Sequence, residues 1–155
     1  MRLLPEPLAE RHVAATPAQV WAVLADGRRY GEWVLGTQHI RSVDPEWPAR
    51  DSSIHFVFGI GPLAYADRTT VVACVPHRVL ELEVHAGFIG SIRVGVRLTP
   101  QRTGTRVMLE EHPASGLLAR VHTRFGDVGF AVRAHLLLRE LARLVETDRG
   151  YHGAR

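Results

Sequence analysis

Two runs of alternating side chains constrain this sequence more than any other feature. Leu80, Leu82 and Val84 share one face of a run whose other face carries Glu81, Glu83 and His85. Ile92, Val94, Val96 and Leu98 then repeat the pattern against Arg93 and Arg97. A period of two marks a half-buried strand, apolar on one side and wet on the other. The connection through Gly87 and Gly90 is short, so the two strands pair antiparallel. The register that matches their apolar faces also sets Glu81 and Glu83 near Arg93 and Arg97. Those charges read as an outer-face salt lattice of small energetic weight. The next run keeps the phase: Thr105, Val107, Leu109 and Glu111 alternate with Arg106, Met108, Glu110 and His112, which gives Glu111 an inward position.

Other β-rich segments lie between the turn signals Asp44-Pro45, Trp47-Pro48, Gly59-Ile60-Gly61-Pro62, Val75-Pro76, Pro100 and Gly104. Strands are expected near 8–14, 38–44, 53–58, 64–75, 79–86, 89–99 and 104–112. Thr16-Pro17-Ala18-Gln19 combines an N-cap Thr, a proline at the first helical position and a Gln three residues after the cap, a capping box. Val20, Trp21, Val23 and Leu24 supply that helix's buried face. Asp26-Gly27 ends it, and Arg28 to Trp33 forms a second short helical turn. Near the C-terminus, Asp127 is expected to cap a long helix reaching about Thr147. Phe130, Ala134, Leu137, Leu138, Leu141, Leu144 and Val145 form its apolar stripe, and Arg139, Arg143 and Glu146 face away. Arg133 falls at the edge of the stripe. Val132 and Leu136 sit among polar positions, where they mark a homodimer contact or a seat for the 115–125 segment.

One strand, two short helices, six consecutive antiparallel strands and a long last helix make an α+β fold, with a curved seven-stranded antiparallel sheet around that helix. A bent sheet and a straight helix cannot touch along their full length, so the space between them can remain as a cavity with apolar walls. A chain of 155 residues is long enough for one core, and residues 1–155 are expected to form a single ligand-binding domain.

Composition removes several function classes. The single cysteine, Cys74, excludes an internal disulfide and a multi-cysteine metal site, and it suits a reducing compartment. All 19 basic side chains are Arg, so a Schiff-base or P-loop lysine is out. The net charge of +3 is spread without a basic stripe, and no nucleic-acid partner is expected. Met1 to Pro7 is too short and too polar for a secretory signal, and no apolar run nears the ~18 residues of a membrane span. The reading is cytoplasmic. The nine histidines lack ligand spacing, Ser91 and Ser115 lack a nucleophile elbow, and Gly59-x-Gly61-Pro62 is no dinucleotide fingerprint, so no metal or cofactor is expected.

Thr16-Pro17-Ala18-Gln19-Val20-Trp21-Ala22-Val23-Leu24-Ala25-Asp26, followed by Tyr30 and Trp33, resembles the opening of the START-like, Bet v 1-like (SRPBCC) superfamily, in its polyketide cyclase/dehydrase-type branch. Pro45-Glu46-Trp47-Pro48, Gly59 to Leu63, Asp67-Arg68-Thr69, Gly104 to Val107 and Leu109-Glu110-Glu111 continue the likeness over nearly the whole chain. The resemblance implies a helix-grip fold that holds lipids, polyketides or other apolar molecules, with catalysis in some members. Bacterial relatives often carry Arg-Asn-x-Glu on the last helix. Here Arg133 is followed by Ala134, His135 and Leu136, so the arginine matches and its polar companions do not.

Alternation turns Ile54, Phe56 and Phe58 inward and His55 outward. In the strand 64–75 the inward set is either Tyr65, Asp67 and Thr69 or Arg68 and Thr70, and the first is preferred. An inward carboxylate on Glu111 and a cation on the helix flank at Arg133 can meet at the cavity mouth. The expected ligand contacts are Trp33, Phe56, Phe58, Tyr65, Asp67, Leu82, Val94, Val96, Leu109, Glu111, Phe130, Arg133 and Leu137. Three functions stay open: binding of a small hydrophobic molecule such as a lipid, polyketide or aromatic compound; a cyclase or dehydratase using Glu111, Arg133 or Tyr65; and a protein-interaction module. No motif assigns a catalytic residue.

Overall fold

The computed structural model describes residues 8–60, 62–85, 87, 90–115 and 124–153. The capping box is present: Thr16 Oγ1 accepts from Gln19 N at 3.2 Å, and Gln19 Oε1 accepts from Thr16 N at 2.9 Å. Two otherwise orphaned amide groups are thereby satisfied, and α1 (Pro17–Leu24) buries Val20, Trp21, Val23 and Leu24. Asp26 Oδ1 accepts from Arg28 N and opens a 3-10 turn, Gly27–Arg29, that runs into α2 (Tyr30–Trp33).

The strands are β1 (Ala9–Val13), β2 (Thr37–Val43), β3 (Ser53–Ile60), β4 (Leu63–Val75), β5 (Val79–His85), β6 (Ser91–Gln101) and β7 (Gly104–Ser115). They form one antiparallel sheet in the order β1-β7-β6-β5-β4-β3-β2, curved around the C-terminal helix. Each expected strand is found within three residues of its limits. The turn through Gly61 and the connection between Gly87 and Gly90 fall partly outside the described residues. Register shifts interrupt the ladders between Thr37 and His39, Ile40 and Ser42, Val71 and Ala73, and Ser91 and Ile92. Bulges of this kind bend a sheet. The outer lattice forms as expected, with Arg93 3.8 Å from Glu83, Arg97 3.9 Å from Glu81, and Arg97 also 3.4 Å from Glu110.

The last helix, α3 (Arg124–Gly153), packs against β1, α1, α2 and β7. Ala134, Leu137, Leu138, Leu141, Leu144 and Val145 are buried, as the wheel requires, together with Ala142. Two expectations about its ends are corrected. The helix begins before Asp127, which therefore lies inside it and not at its cap; an acid in the first turn and an acid at the cap look alike in sequence because both favour the positive helix end. It also runs past Thr147, because contacts distant in sequence hold the extra turn. Arg29 is bonded to Asp148, and Arg149 Nη1 donates to Ala14 O at 2.5 Å. Val132 is 54% exposed and Leu136 is half-buried. Residues 116–123 of the 115–125 segment expected to seat on them lie outside the described residues.

One glycine is sterically required. Gly104 has φ +152° at the β6–β7 turn, and an added Cβ would lie 2.2 Å from Val13 O, a backbone atom of β1. Gly104→Ala is expected to destabilise the fold by about 2–3 kcal/mol, read as a lowered urea midpoint. An unchanged midpoint would mean that β1 does not lie against this turn.

Candidate functional site

Tyr30 is the centre of a buried polar and aromatic group. Short helix α2 carries it three residues before Trp33, so both rings leave the same side of that turn. The Tyr30 hydroxyl and Thr69 Oγ1 share a hydrogen bond of 2.7 Å across 39 residues of sequence. Its ring lies 5.6 Å from Trp33 and 5.6 Å from Phe56. Phe56 continues to Phe58 at 6.5 Å, and Phe58 to Tyr65 at 5.8 Å. An aromatic row thus leads from Trp33, in the core, to Tyr65, which is 42% exposed.

The strand pairings Ile54↔Thr69, Phe56↔Asp67 and Phe58↔Tyr65 explain the row, because directly paired residues share a face. Thr69 is fully buried while Arg68 is exposed, so the preferred phase of β4 is the observed one. Asp67 has a separate occupation. Its Oδ1 accepts from Arg68 N at 2.8 Å and its Oδ2 from Gly87 N at 2.7 Å, so it ties β4 to the turn after β5 and does not join the Tyr30 group.

Glu111 and Arg133 meet. The Glu111 side chain on β7 has 0% exposure, and Arg133 on α3, 26% exposed, donates from Nη1 to Glu111 Oε1. Burial raises the Glu111 carboxyl above the usual carboxylate range, and the charge and hydrogen bond of Arg133 pull it part of the way back. Burial likewise pushes the Tyr30 phenol up to about 12, with smaller opposing effects from Thr69 and Arg133, so it stays a neutral donor at any physiological pH. The charges of Arg133 and Glu111 both act on Tyr30, which places the ion pair in its neighbourhood. Among the described residues, three buried polar atoms have no hydrogen-bond partner: Trp33 Nε1, Thr37 Oγ1 and Glu111 Oε2. Such atoms are uncommon in folded proteins, and each costs about 1–3 kcal/mol when unmatched.

Apolar strand residues surround the pair. Val94 is the direct partner of Glu111, Leu82 of Val94, and Leu109 of Val96; all four apolar residues are buried, as is Leu137 on α3. Phe130 belongs to α3, and its side chain lies outside those described. Three grooves outlined by described residues, of about 310, 570 and 340 Å³, lie elsewhere on the molecule, and of the expected contacts only Asp67 lines one of them. Among the described residues, no three His, Cys, Asp or Glu side chains gather to hold a metal ion, and no helix is long and apolar enough to cross a membrane.

Sequence reading of the site missed Tyr30 and Thr37 as polar members. The available signal for Tyr30 was its three-residue spacing from Trp33; for Thr37 there was only its position after Gly36, in a strand whose ladder shifts one step later.

Residues 9–146 match the family described as polyketide cyclase / dehydrase and lipid transport. No curated protein matches. Among solved structures, a protein of Rhodobacter sphaeroides is 21% identical with a TM-score of 0.67, over 94% of this chain and 97% of that one. A Nitrosomonas europaea protein is 14% identical with a TM-score of 0.70, over 92% and 95%. The di-domain ARO/CYC StfQ of the steffimycin biosynthetic pathway is 13% identical with a TM-score of 0.69, over 92% of this chain and 50% of that one. At these identities the structures establish the fold, and the family match extends over most of the chain. The chain therefore belongs to the polyketide cyclase/dehydrase and lipid transport family, within the START-like, Bet v 1-like superfamily of helix-grip proteins.

Proposed function

We propose that this chain, as one cytoplasmic domain, binds a small and mainly apolar molecule between the concave face of the sheet and α3. Phe56, Phe58, Leu82, Val94, Val96, Leu109 and Leu137 form the apolar walls, and Tyr65 stands at the open end of the aromatic row. Glu111, Arg133, Trp33 and Tyr30 meet the ligand's polar end. The observation that carries this reading is the trio of buried polar atoms without partners, Trp33 Nε1, Thr37 Oγ1 and Glu111 Oε2. An apolar skeleton with one hydroxyl supplies a donor for the carboxylate and an acceptor for the indole, which offsets their desolvation. The family description, joining polyketide chemistry with lipid transport, supports the same ligand class.

The test compares 2-naphthol with naphthalene, neutral probes of one shape that differ by a hydroxyl, in a titration of isotope-labelled protein followed by NMR. Saturable one-to-one binding is expected, with about tenfold preference for 2-naphthol. Trp33→Phe and Glu111→Gln should each shrink that preference while naphthalene binding persists. Equal affinity for both probes, or no saturation by either, would overturn the reading.

A second reading is an enzyme of cyclase or dehydratase type. It is favoured by the setting of the pair: burial shifts the Glu111 carboxyl upward, the direction a general acid requires, and a neutral Tyr30 can support an enolate oxygen. Glu111→Gln separates the two readings, since a catalyst loses turnover of a poly-β-ketone more than affinity for it, and a carrier loses affinity alone.

A further inference from the structure

The outer face of the sheet carries a different kind of feature, independent of the buried group. A groove of about 310 Å³ is lined by Arg41, His55, Arg68 and His85, with Asp67 and Gly87 at one end. Strand register brings these nitrogen-bearing side chains together. His55 pairs directly with Arg68, and His85 lies one step beyond the Thr69↔Val84 pair, beside Arg68. On the other side, β2 is bulged: Ile40 pairs with Phe56 and Ser42 with His55, leaving Arg41 as the extra residue between them. Without the bulge, strict alternation from Ile40 would turn Val43 outward. With it, Val43 pairs with buried Ile54 and packs on the core, while Arg41 and Ser42 both sit opposite His55. The side chains of four adjacent strands, spaced about 4.8 Å apart, thus form one row of nitrogen donors.

The row is not neutralised as its surroundings are. Farther along β5 and β6, Glu81 and Glu83 face Arg97 and Arg93. Among the described residues, Arg41, His55, Arg68 and His85 have no carboxylate partner within salt-bridge distance. Asp67 offsets part of the groove's charge, yet its carboxylate bonds the amides of Arg68 and Gly87, and among the described residues it forms no salt bridge with either guanidinium. Planar guanidinium pairs match the oxygens of a phosphoryl group.

We propose that this groove binds the phosphoryl group of a soluble phosphorylated small molecule, gripped by Arg41 and Arg68 with His55 between them. The experiment is an NMR titration of the full chain with inorganic phosphate at constant ionic strength set by chloride. Saturable shifts confined to residues around Arg41, His55, Arg68, His85 and Gly87 are expected. Arg41→Gln and Arg68→Gln should each weaken binding about tenfold. Arg41→Lys and Arg68→Lys, which keep charge but lose the fork, should weaken it by less, and they retain the test if a glutamine variant fails to fold. Arg93→Gln, in the neutralised lattice, should leave binding unchanged. Linear, unsaturable shifts, or shifts insensitive to Arg41 and Arg68, would overturn the proposal. So would retention on vesicles of phosphatidylserine and phosphatidylcholine by a protein that inorganic phosphate does not titrate, which would make this a membrane-facing surface.

Discussion

Arg133→Met is expected to lower the unfolding free energy by about 3–5 kcal/mol at neutral pH, the range seen when one partner of a buried ion pair is removed. Glu111→Gln is expected to cost only about 1 kcal/mol. The asymmetry follows from exposure: Arg133 is 26% exposed and can turn to water, whereas Glu111 has no access to it. The pH dependence carries a sign. Because the folded carboxyl sits above its ordinary value of 4.5, the folded state holds the proton more tightly than the unfolded chain. The contribution of this group to stability is therefore largest below that ordinary value and falls as pH rises toward the folded one. Removing Arg133 takes away the influences that lower the folded value, so the deficit of Arg133→Met should widen as pH rises above the ordinary carboxyl value. Glu111→Gln should abolish this part of the slope, and the double variant should resemble Glu111→Gln. Urea unfolding at several pH values measures all of this. A Glu111→Gln penalty larger than that of Arg133→Met would show that the carboxylate is well solvated.

The second large effect concerns Phe56, fully enclosed and in ring contact with both Tyr30 and Phe58. Phe56→Ala should cost about 3–5 kcal/mol through lost transfer energy and the void left behind. Phe56→Leu keeps most of the volume and should cost less than about 1.5 kcal/mol. The void also admits water beside Tyr30. Its phenol, held up to about 12 mainly by burial, should then titrate closer to the ordinary tyrosine value, visible as earlier phenolate absorbance in an alkaline titration. A loss below about 1 kcal/mol with unaltered titration would mean that the aromatic row does not support the site.

What the sequence made legible was periodic. Two-residue alternation carried the phase from Leu80 through Leu98 and on to Glu111, and helical spacing put Arg133 at the rim of the apolar stripe. Those two patterns located both halves of the ion pair. What stayed hidden has no period. The bond from Tyr30 to Thr69 joins a short helix to a strand 39 residues away, and nothing local to either residue announces it. Asp67 has the inward parity, yet its carboxylate is drawn to the amide groups of Arg68 and Gly87, a competition between side-chain and backbone partners that alternation cannot express. The ends of α3 eluded the reading for a related cause, since Asp148 and Arg149 are held by Arg29 and Ala14 at the other end of the chain.

The sheet order has a bearing on how the chain comes into being. Five of the six strand pairings join neighbours in sequence, and only β1 with β7 links the two ends. A polypeptide made from its N-terminus thus releases its first strand long before that strand's mate leaves the ribosome. Meanwhile β1 is an open edge, and its central Glu10, Arg11 and His12 are the sort of charged residues that discourage a stray partner. Glu111 and Arg133 lie on β7 and α3, so the nascent domain acquires its buried ion pair only after the other six strands have been made.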